Sequence, residues 1–320
     1  MKLINNVENY RENNNGLAIA LGNFDGLHLA HRKIIEKTIY KAEERGLKSA
    51  VFLLDPHPVK VLCPHKNFFL LSSLEERAEI LEELGIDFIL IQKFTVEMAS
   101  LSPFKFIEEY LVNALKVKEI VIGFDYTFGR QGKGTTYSLL KWDKILNYQV
   151  EIVPPVMMGN EVVSSSMIRD LIMNGEVSQA SEYLGRFFTR RGKVIHGDAR
   201  GRNLGFPTAN LDIGEEFLLP GNGVYLSLVL WKDKKMFGLT NIGRKPTFSV
   251  SDKISVEIFL LDFDGFIYTE ELTVMFLYRI RDEIAFKDGS YLIKQIESDL
   301  KLARKLIDQE YRFLLAKQCT

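Results

Sequence analysis

The 320-residue chain is longer than one ordinary domain and reads as two. Its 46% hydrophobic and 26% charged residues are those of a folded globular chain, which excludes a disordered or fibrous one. A formal net charge of -1 supplies no long-range field to gather nucleic acid or an anionic membrane, so neither partner is expected and any anion must be held by a local site.

The only two cysteines, Cys63 and Cys319, stand far apart without metal-ligand spacing. This fits a reducing compartment and argues against both a disulfide framework and a zinc site. The start, Met1-Lys2-Leu3-Ile4-Asn5-Asn6, turns polar at once, and no later apolar run is long enough to span a bilayer. A cytoplasmic location is expected.

Short apolar runs at 17–21, 50–54, 88–91, 120–122 and 150–153 read as strands, with helical spacing between them. That alternation predicts an α/β domain with a parallel sheet. Ser73 with Glu76 forms a capping-box pattern before Leu74, Ala78, Leu81 and Leu84, and Ser102-Pro103 opens the next helix. After Ser164-Ser165-Ser166 come two short helices, ending near Asn174-Gly175 and Gly185, and the domain boundary is placed at 185/186. Beyond it, β-type runs at 192–195, 223–230, 237–242 and 255–261 lie between turn residues, which predicts a small antiparallel barrel. The spacing of Leu292, Ile296, Leu300, Ala303 and Leu306 marks an amphipathic C-terminal helix to cover it. The cluster Arg186, Arg190, Arg191 and Lys193 reads as a solvated linker face.

The first strand runs into Gly22-Asn23-Phe24-Asp25-Gly26-Leu27-His28-Leu29-Ala30-His31, with a helix expected to begin near His31. Backbone N–H groups and the helix dipole favour phosphate at such a place, and imidazoles three apart can face one ligand. Spacing alone leaves open an ordinary βα turn with two surface histidines. Further signals follow at the carboxyl ends of later strands, where parallel sheets put ligand sites. They are Asp55-Pro56-His57-Pro58, Gly123-Phe124-Asp125-Tyr126-Thr127-Phe128-Gly129, and Ser164-Ser165-Ser166-Met167-Ile168-Arg169.

This set resembles the nucleotidylyltransferase superfamily with its H-x-G-H signature, and within it the FMN adenylyltransferase module of bacterial bifunctional riboflavin kinase/FAD synthetases. The resemblance covers about residues 15 to 185. It implies that His28 and His31 hold the ATP phosphates while Ser165, Ser166 and Arg169 close on them. Gly22, Asn23 and Phe24 would line the nucleotide, and Asp55 and Asp125 would be flavin contacts. Such a site needs no protein nucleophile, because the FMN phosphate can itself attack the α-phosphorus. Two positions depart from the pattern: Ala30 replaces the signature glycine, and Ser166 replaces a threonine.

The second module opens with His196-Gly197-Asp198-Ala199-Arg200-Gly201-Arg202-Asn203-Leu204-Gly205-Phe206-Pro207-Thr208-Ala209-Asn210. Glycines let backbone approach a phosphate, and a threonine hydroxyl with an asparagine carbonyl suits Mg²⁺ beside nucleotide phosphates. Any five of these residues would pass for a hairpin loop. The whole run is similar to the riboflavin kinase signature G-R-x-L-G-F-P-T-A-N, and likeness continues through 241–248, 256–258 and 280–286. The resemblance implies nucleotide contacts at Gly201, Gly205, Pro207, Thr208 and Asn210, Mg²⁺ at Thr208 and Asn210, Glu257 as general base and Arg281 beside the flavin. Phe259 departs, since the family commonly carries histidine there. The expected partners are riboflavin, FMN and ATP, with Mg²⁺ as cofactor. The alternatives are a chain that keeps one activity and a flavin-responsive regulator.

Overall fold

A computed structural model describes residues 1–11, 15–197, 205–244, 254–286 and 288–316. By contacts the chain divides into two compact units, Met1–Ser165 and Ser166–Thr320.

In the first unit, β1 (Lys2–Asn5), β2 (Leu17–Leu21), β3 (Lys48–Asp55), β4 (Phe88–Lys93), β5 (Val117–Gly123) and β6 (Gln149–Val153) form one sheet in the order β1-β4-β3-β2-β5-β6. Every neighbouring pair is parallel, as the alternation predicts. Five strands match the apolar runs; β1 is additional, an edge strand paired only with β4 and largely exposed. The side-chain period of two splits the core between the sheet faces. Leu17, Ile19 and Leu21 pack with Phe52, Ile120 and Phe106 on one face, and Ala20 packs with Val51, Leu53, Ile34 and Leu81 on the other.

The connecting helices are α1 (Leu29–Glu44), α2 (Pro58–Leu62), α3 (Leu74–Glu83), α4 (Val96–Ala99), α5 (Pro103–Phe106, continued as a wider π-type turn over Ile107–Ala114) and α6 (Thr136–Leu146). The Ser73–Glu76 capping box forms as the sequence predicts. From β2 the chain builds outward through β3 and β4, then crosses back to place β5 on the other side of β2. In doubly wound sheets ligands bind at such a reversal, beyond the carboxyl ends of the two strands, here β2 and β5.

A short antiparallel ribbon, β7 (Met157–Met158) and β8 (Glu161–Val162), follows β6. In the second unit, α7 (Ser165–Met173, counting its first residue from the other unit) leads to α8 (Val177–Leu184), which ends at Gly185 with φ 69°. Strands β9 (Phe188–Ile195), β10 (Thr208–Asp212), β11 (Gly223–Trp231), β12 (Lys234–Arg244), β13 (Ile254–Leu260) and β14 (Glu271–Arg281) close an antiparallel barrel in the order β10-β13-β12-β11-β14-β9. Strands β10 and β14 are additional to the runs picked out by composition. The C-terminal helix α9 (Gly289–Leu306) buries Ala303 against an outer cluster of Val224, Leu226, Leu228 and Leu277. Arg190 does not lie on a solvated face. It alternates with Phe188, Gly192 and Val194 on the buried side of β9, donates from Nε to the Leu218 carbonyl at 2.6 Å, and lies 4.2 Å from the Phe188 ring. Arg191 and Lys193, on the other face, are exposed.

Candidate active sites

Helix α1 begins at Leu29, two residues earlier than the sequence suggests, so His28 is its N-cap and His31 sits in its first turn. The His28 Nδ1 accepts from the His31 backbone N–H at 3.3 Å. A nitrogen that accepts carries no proton, so the His28 hydrogen is on Nε2 in this arrangement. The two imidazoles stack with centroids 3.6 Å apart and planes 16° from parallel, and the Phe24 ring meets His31 edge-on at 5.1 Å. The sequence therefore delivers a coupled imidazole pair at a helix N-terminus, where free N–H groups and the dipole favour an anion.

The loop that carries the pair is locked. Phe24 and Leu27 adopt φ of 49° and 40°, a costly region for such side chains, and both are fully buried. Asp25, 2% exposed, accepts from the Leu71 and Ser72 N–H groups at 3.0 Å and from Ser72 Oγ at 3.2 Å. Ser72 Oγ accepts in turn from Gly26 N–H at 2.8 Å, and Ser165 Oγ donates to the Asp25 carbonyl at 2.9 Å. A Cβ at Gly22 would stand 3.0 Å from the Phe24 ring, a tight contact that the ring would have to relieve. Asn23 is half-buried, and its carbonyl accepts from Arg77 at 3.0 Å. Asp25, Ser72 and Arg77 were not singled out from sequence; their partners lie 46 to 54 residues away.

Asp55 ends β3 and is exposed; beside it His57 caps α2 and stacks on Phe68 at 4.5 Å. Asp125 is exposed on the loop after β5, the strand that pairs with β2. Ser166 is exposed and Arg169 half-buried on the first turns of α7, in the second unit.

On the barrel, Asn210 stands directly opposite Glu257 in the β10–β13 ladder, and Glu257 stands opposite Asn241 in β12–β13. Opposed residues in an antiparallel ladder share a face. The same row continues through Val224 to Arg281. Thr208 opposes Phe259 two positions along, so Thr208, Asn210, Glu257 and Phe259 form one surface while Val256 and Ile258 are buried on the other. Thr208 and Asn210 thus belong to a strand and not to a loop. Asn241 is a polar neighbour of Glu257 that sequence reasoning passed over as a site residue. Gly197 packs so tightly on the Asn210 amide that a Cβ there would overlap it.

Gly205 has φ 86° and leads into Pro207 beside the strand. Gly201, and the likeness at 245–248, lie outside the described residues. Arg281 donates from Nε to both Asp299 oxygens, at 2.9 and 3.1 Å, and Asp299 is 4% exposed on α9, where it also accepts from Gln295. Phe286 lies 5.8 Å from the Arg281 guanidinium. Among the described residues no group of three or more His, Cys, Asp or Glu could cage a metal. The oxygen donors Thr208 and Asn210 fit Mg²⁺, which takes hard oxygens and shares its coordination with phosphates and water.

Each unit thus carries its own polar cluster, a histidine-capped helix after β2 in the first and a Thr-Asn-Glu row on the closed barrel in the second. The FAD synthetase family matches residues 10–167, and the riboflavin kinase family matches residues 184–307. A bifunctional riboflavin kinase/FMN adenylyltransferase from Listeria monocytogenes is 39% identical over 282 residues, 88% of this chain and 89% of that protein. One from Bacillus subtilis is 38% identical over 284 residues, with the same coverage of 88% and 89%. A crystal structure described as a macrolide-efflux protein from Streptococcus pneumoniae matches with a TM-score of 0.86 and 31% identity, over 94% of this chain and 98% of that one. The chain belongs to the bifunctional riboflavin kinase/FMN adenylyltransferase family and carries both an FAD synthetase and a riboflavin kinase domain. Among its described residues no helix is long and apolar enough to cross a membrane.

Proposed function

We propose that the chain phosphorylates riboflavin to FMN on the barrel and adenylylates FMN to FAD on the parallel-sheet unit, using ATP in both reactions. The observation that carries this is the pairing of two locked sites, the His28–His31 stack at the α1 N-terminus and the Asn210–Glu257 register pair.

In the kinase, Glu257 takes the proton of the ribityl 5′-hydroxyl as its oxygen attacks the γ-phosphorus of ATP, and ADP leaves. Thr208 and Asn210 would hold Mg²⁺, which when bound offsets charge on the phosphate oxygens. Gly205 and Pro207 are assigned to the nucleotide, as is Gly201 on the motif alone. Arg281 is assigned to the flavin side, with Asp299 fixing its direction.

In the adenylyltransferase, an FMN phosphate oxygen attacks the α-phosphorus of the second ATP. The bond from the α-phosphorus to the bridging oxygen breaks, and pyrophosphate departs with the electron pair. His28 and His31, with the first-turn N–H groups of α1, stabilise the charge that moves onto the leaving group. Ser165 has a geometric part in this, because its hydroxyl bonds the loop that carries His28. Ser166 and Arg169 are assigned to the same phosphates on the motif alone, and Gly22, Asn23, Phe24, Asp55 and Asp125 to the nucleotide and flavin. On this assignment residues 1–185 serve adenylylation and 186–320 serve phosphorylation, in the cytoplasm.

The test is a time course of purified protein with riboflavin, ATP and Mg²⁺, separating the flavins. FMN should rise first and FAD follow. Riboflavin left unchanged, or FMN that never converts, removes the corresponding half of the proposal.

A further inference from the structure

We propose that Arg77 is a positioning residue for adenylyl transfer, holding the Gly22–His28 loop, and with it the imidazole pair, through the Asn23 carbonyl. This rests on the adenylyltransferase reading of that site.

Arg77 lies one turn into α3, and its backbone N–H bonds the Ser73 carbonyl at 3.1 Å. Its side chain runs inward and is only 3% exposed, an expensive place for a guanidinium without compensation. Nε donates to the Ser73 carbonyl at 3.3 Å, and Nη1 donates to the Asn23 carbonyl at 3.0 Å. One cation therefore ties the start of α3 to the loop that presents His28. The Asp25–Ser72 hydrogen bonds tie the same two segments from the other side.

The charges around it point the same way. Burial pushes the Arg77 pKa down, while Asp25 and Asp55 oppose that, with Glu75 and Glu76 of its own helix adding smaller contributions. Asp25 is a buried residue of the loop itself, and Asp55 is exposed at the end of β3. A purely structural arginine would tie α3 to the loop without any effect on ATP binding.

The experiment measures the ATP KM and kcat of FMN adenylylation, with riboflavin phosphorylation in the same preparations as a control. Arg77→Gln should raise the ATP KM about tenfold and leave phosphorylation unchanged. An unchanged ATP KM in Arg77→Gln overturns the proposal. Should Arg77→Gln not fold, Arg77→Lys keeps the charge and should stay within about threefold of the parent ATP KM; a tenfold rise there overturns it as well. His31→Ala run in parallel separates the two levels of argument. Unimpaired FAD formation in that variant removes the site itself, whereas lost FAD formation beside an ordinary Arg77→Gln removes only the role of Arg77.

Discussion

Asn210 and Glu257 face each other across the β10–β13 ladder, which puts a side-chain amide and a carboxylate on the same surface of the barrel. No loop has to close to bring them together, so the geometry is held by strand hydrogen bonds.

Glu257→Gln keeps the shape of the side chain and removes the base. FMN formation should fall about 10²- to 10⁴-fold, the range for loss of a positioned general base. FMN-to-FAD conversion should stay near the parent rate, because distant sites behave independently. Parallel loss of both reactions in a folded protein would show that the two sites are not separate.

Gly197→Ala tests the same surface from beneath. The added methyl would overlap the Asn210 side-chain amide, so Asn210 must move. Displacement of a ligand by about 1 Å can cost on the order of 10²-fold, and riboflavin phosphorylation should drop by about tenfold or more with FAD synthesis from FMN intact. A normal kinase rate in this variant would mean that Asn210 is not held where the chemistry needs it.

The parts of this protein that could be read in the sequence are those with local causes. Runs such as Leu17–Leu21 are buried on both faces and so are continuously apolar, whereas β1, exposed and paired on one side, has no comparable signature. The His28–His31 pair is legible because helix N-termini and i, i+3 spacing are local facts. The Asp25–Ser72–Arg77 girdle is not, since its bonds join segments about half a domain apart. Register is likewise invisible before topology is known: Asn241 becomes a neighbour of Glu257 only through the β12–β13 pairing. Arg190 misled because a run of basic residues reads as a solvated face, while strand alternation turns every second one inward.

Asp87 joins β3 to the turn before β4 and predicts an acid limb to stability. Its carboxylate accepts from Lys48 Nζ at 2.8 Å and from Ser49 N–H and Oγ, both at 2.9 Å. Burial alone would raise its pKa; the bonds from Lys48 and Ser49 outweigh that and hold it below the ordinary value of 3.8. A depressed folded pKa gives stability that is complete above the unfolded value and lost as pH falls through the folded one. The group is a third exposed, so Asp87→Asn should cost only about 0.5–1 kcal/mol at pH 7 and nothing at pH 2. Denaturant unfolding at the two pH values measures it, and an equal cost at both would contradict the assignment.

His31→Ala removes one ring of the stack and leaves the His28 cap, which bonds the backbone and not the ring of residue 31. The loop should therefore keep its shape while FAD formation falls by about 10²-fold or more, the order seen when one positioned donor is lost. Riboflavin phosphorylation is the control. Unchanged FAD synthesis would return both histidines to an ordinary capped turn.

Ala30 is the second residue of α1, between the two histidines, where the family signature carries glycine. Its backbone is helical, with no positive φ, so the alanine carries no strain of its own and any cost must fall on the ligand. The first-turn N–H groups are the donors a phosphate would approach, and a methyl beside them limits that approach. Ala30→Gly should lower the ATP KM of adenylylation by a modest factor, about two- to fivefold. Against this stands the loss of helix preference, about 0.5–1 kcal/mol for glycine in place of alanine, which would loosen the turn that holds His31. The Asp25 and Arg77 bonds to the loop favour the first effect, since they fix the turn from outside the helix. The measurement is the ATP dependence of FMN adenylylation in both proteins, with riboflavin phosphorylation as the internal standard for folding. A higher ATP KM in the glycine variant, with phosphorylation intact, would show that the loop has settled around Ala30 and that the methyl supports the site it was argued to crowd.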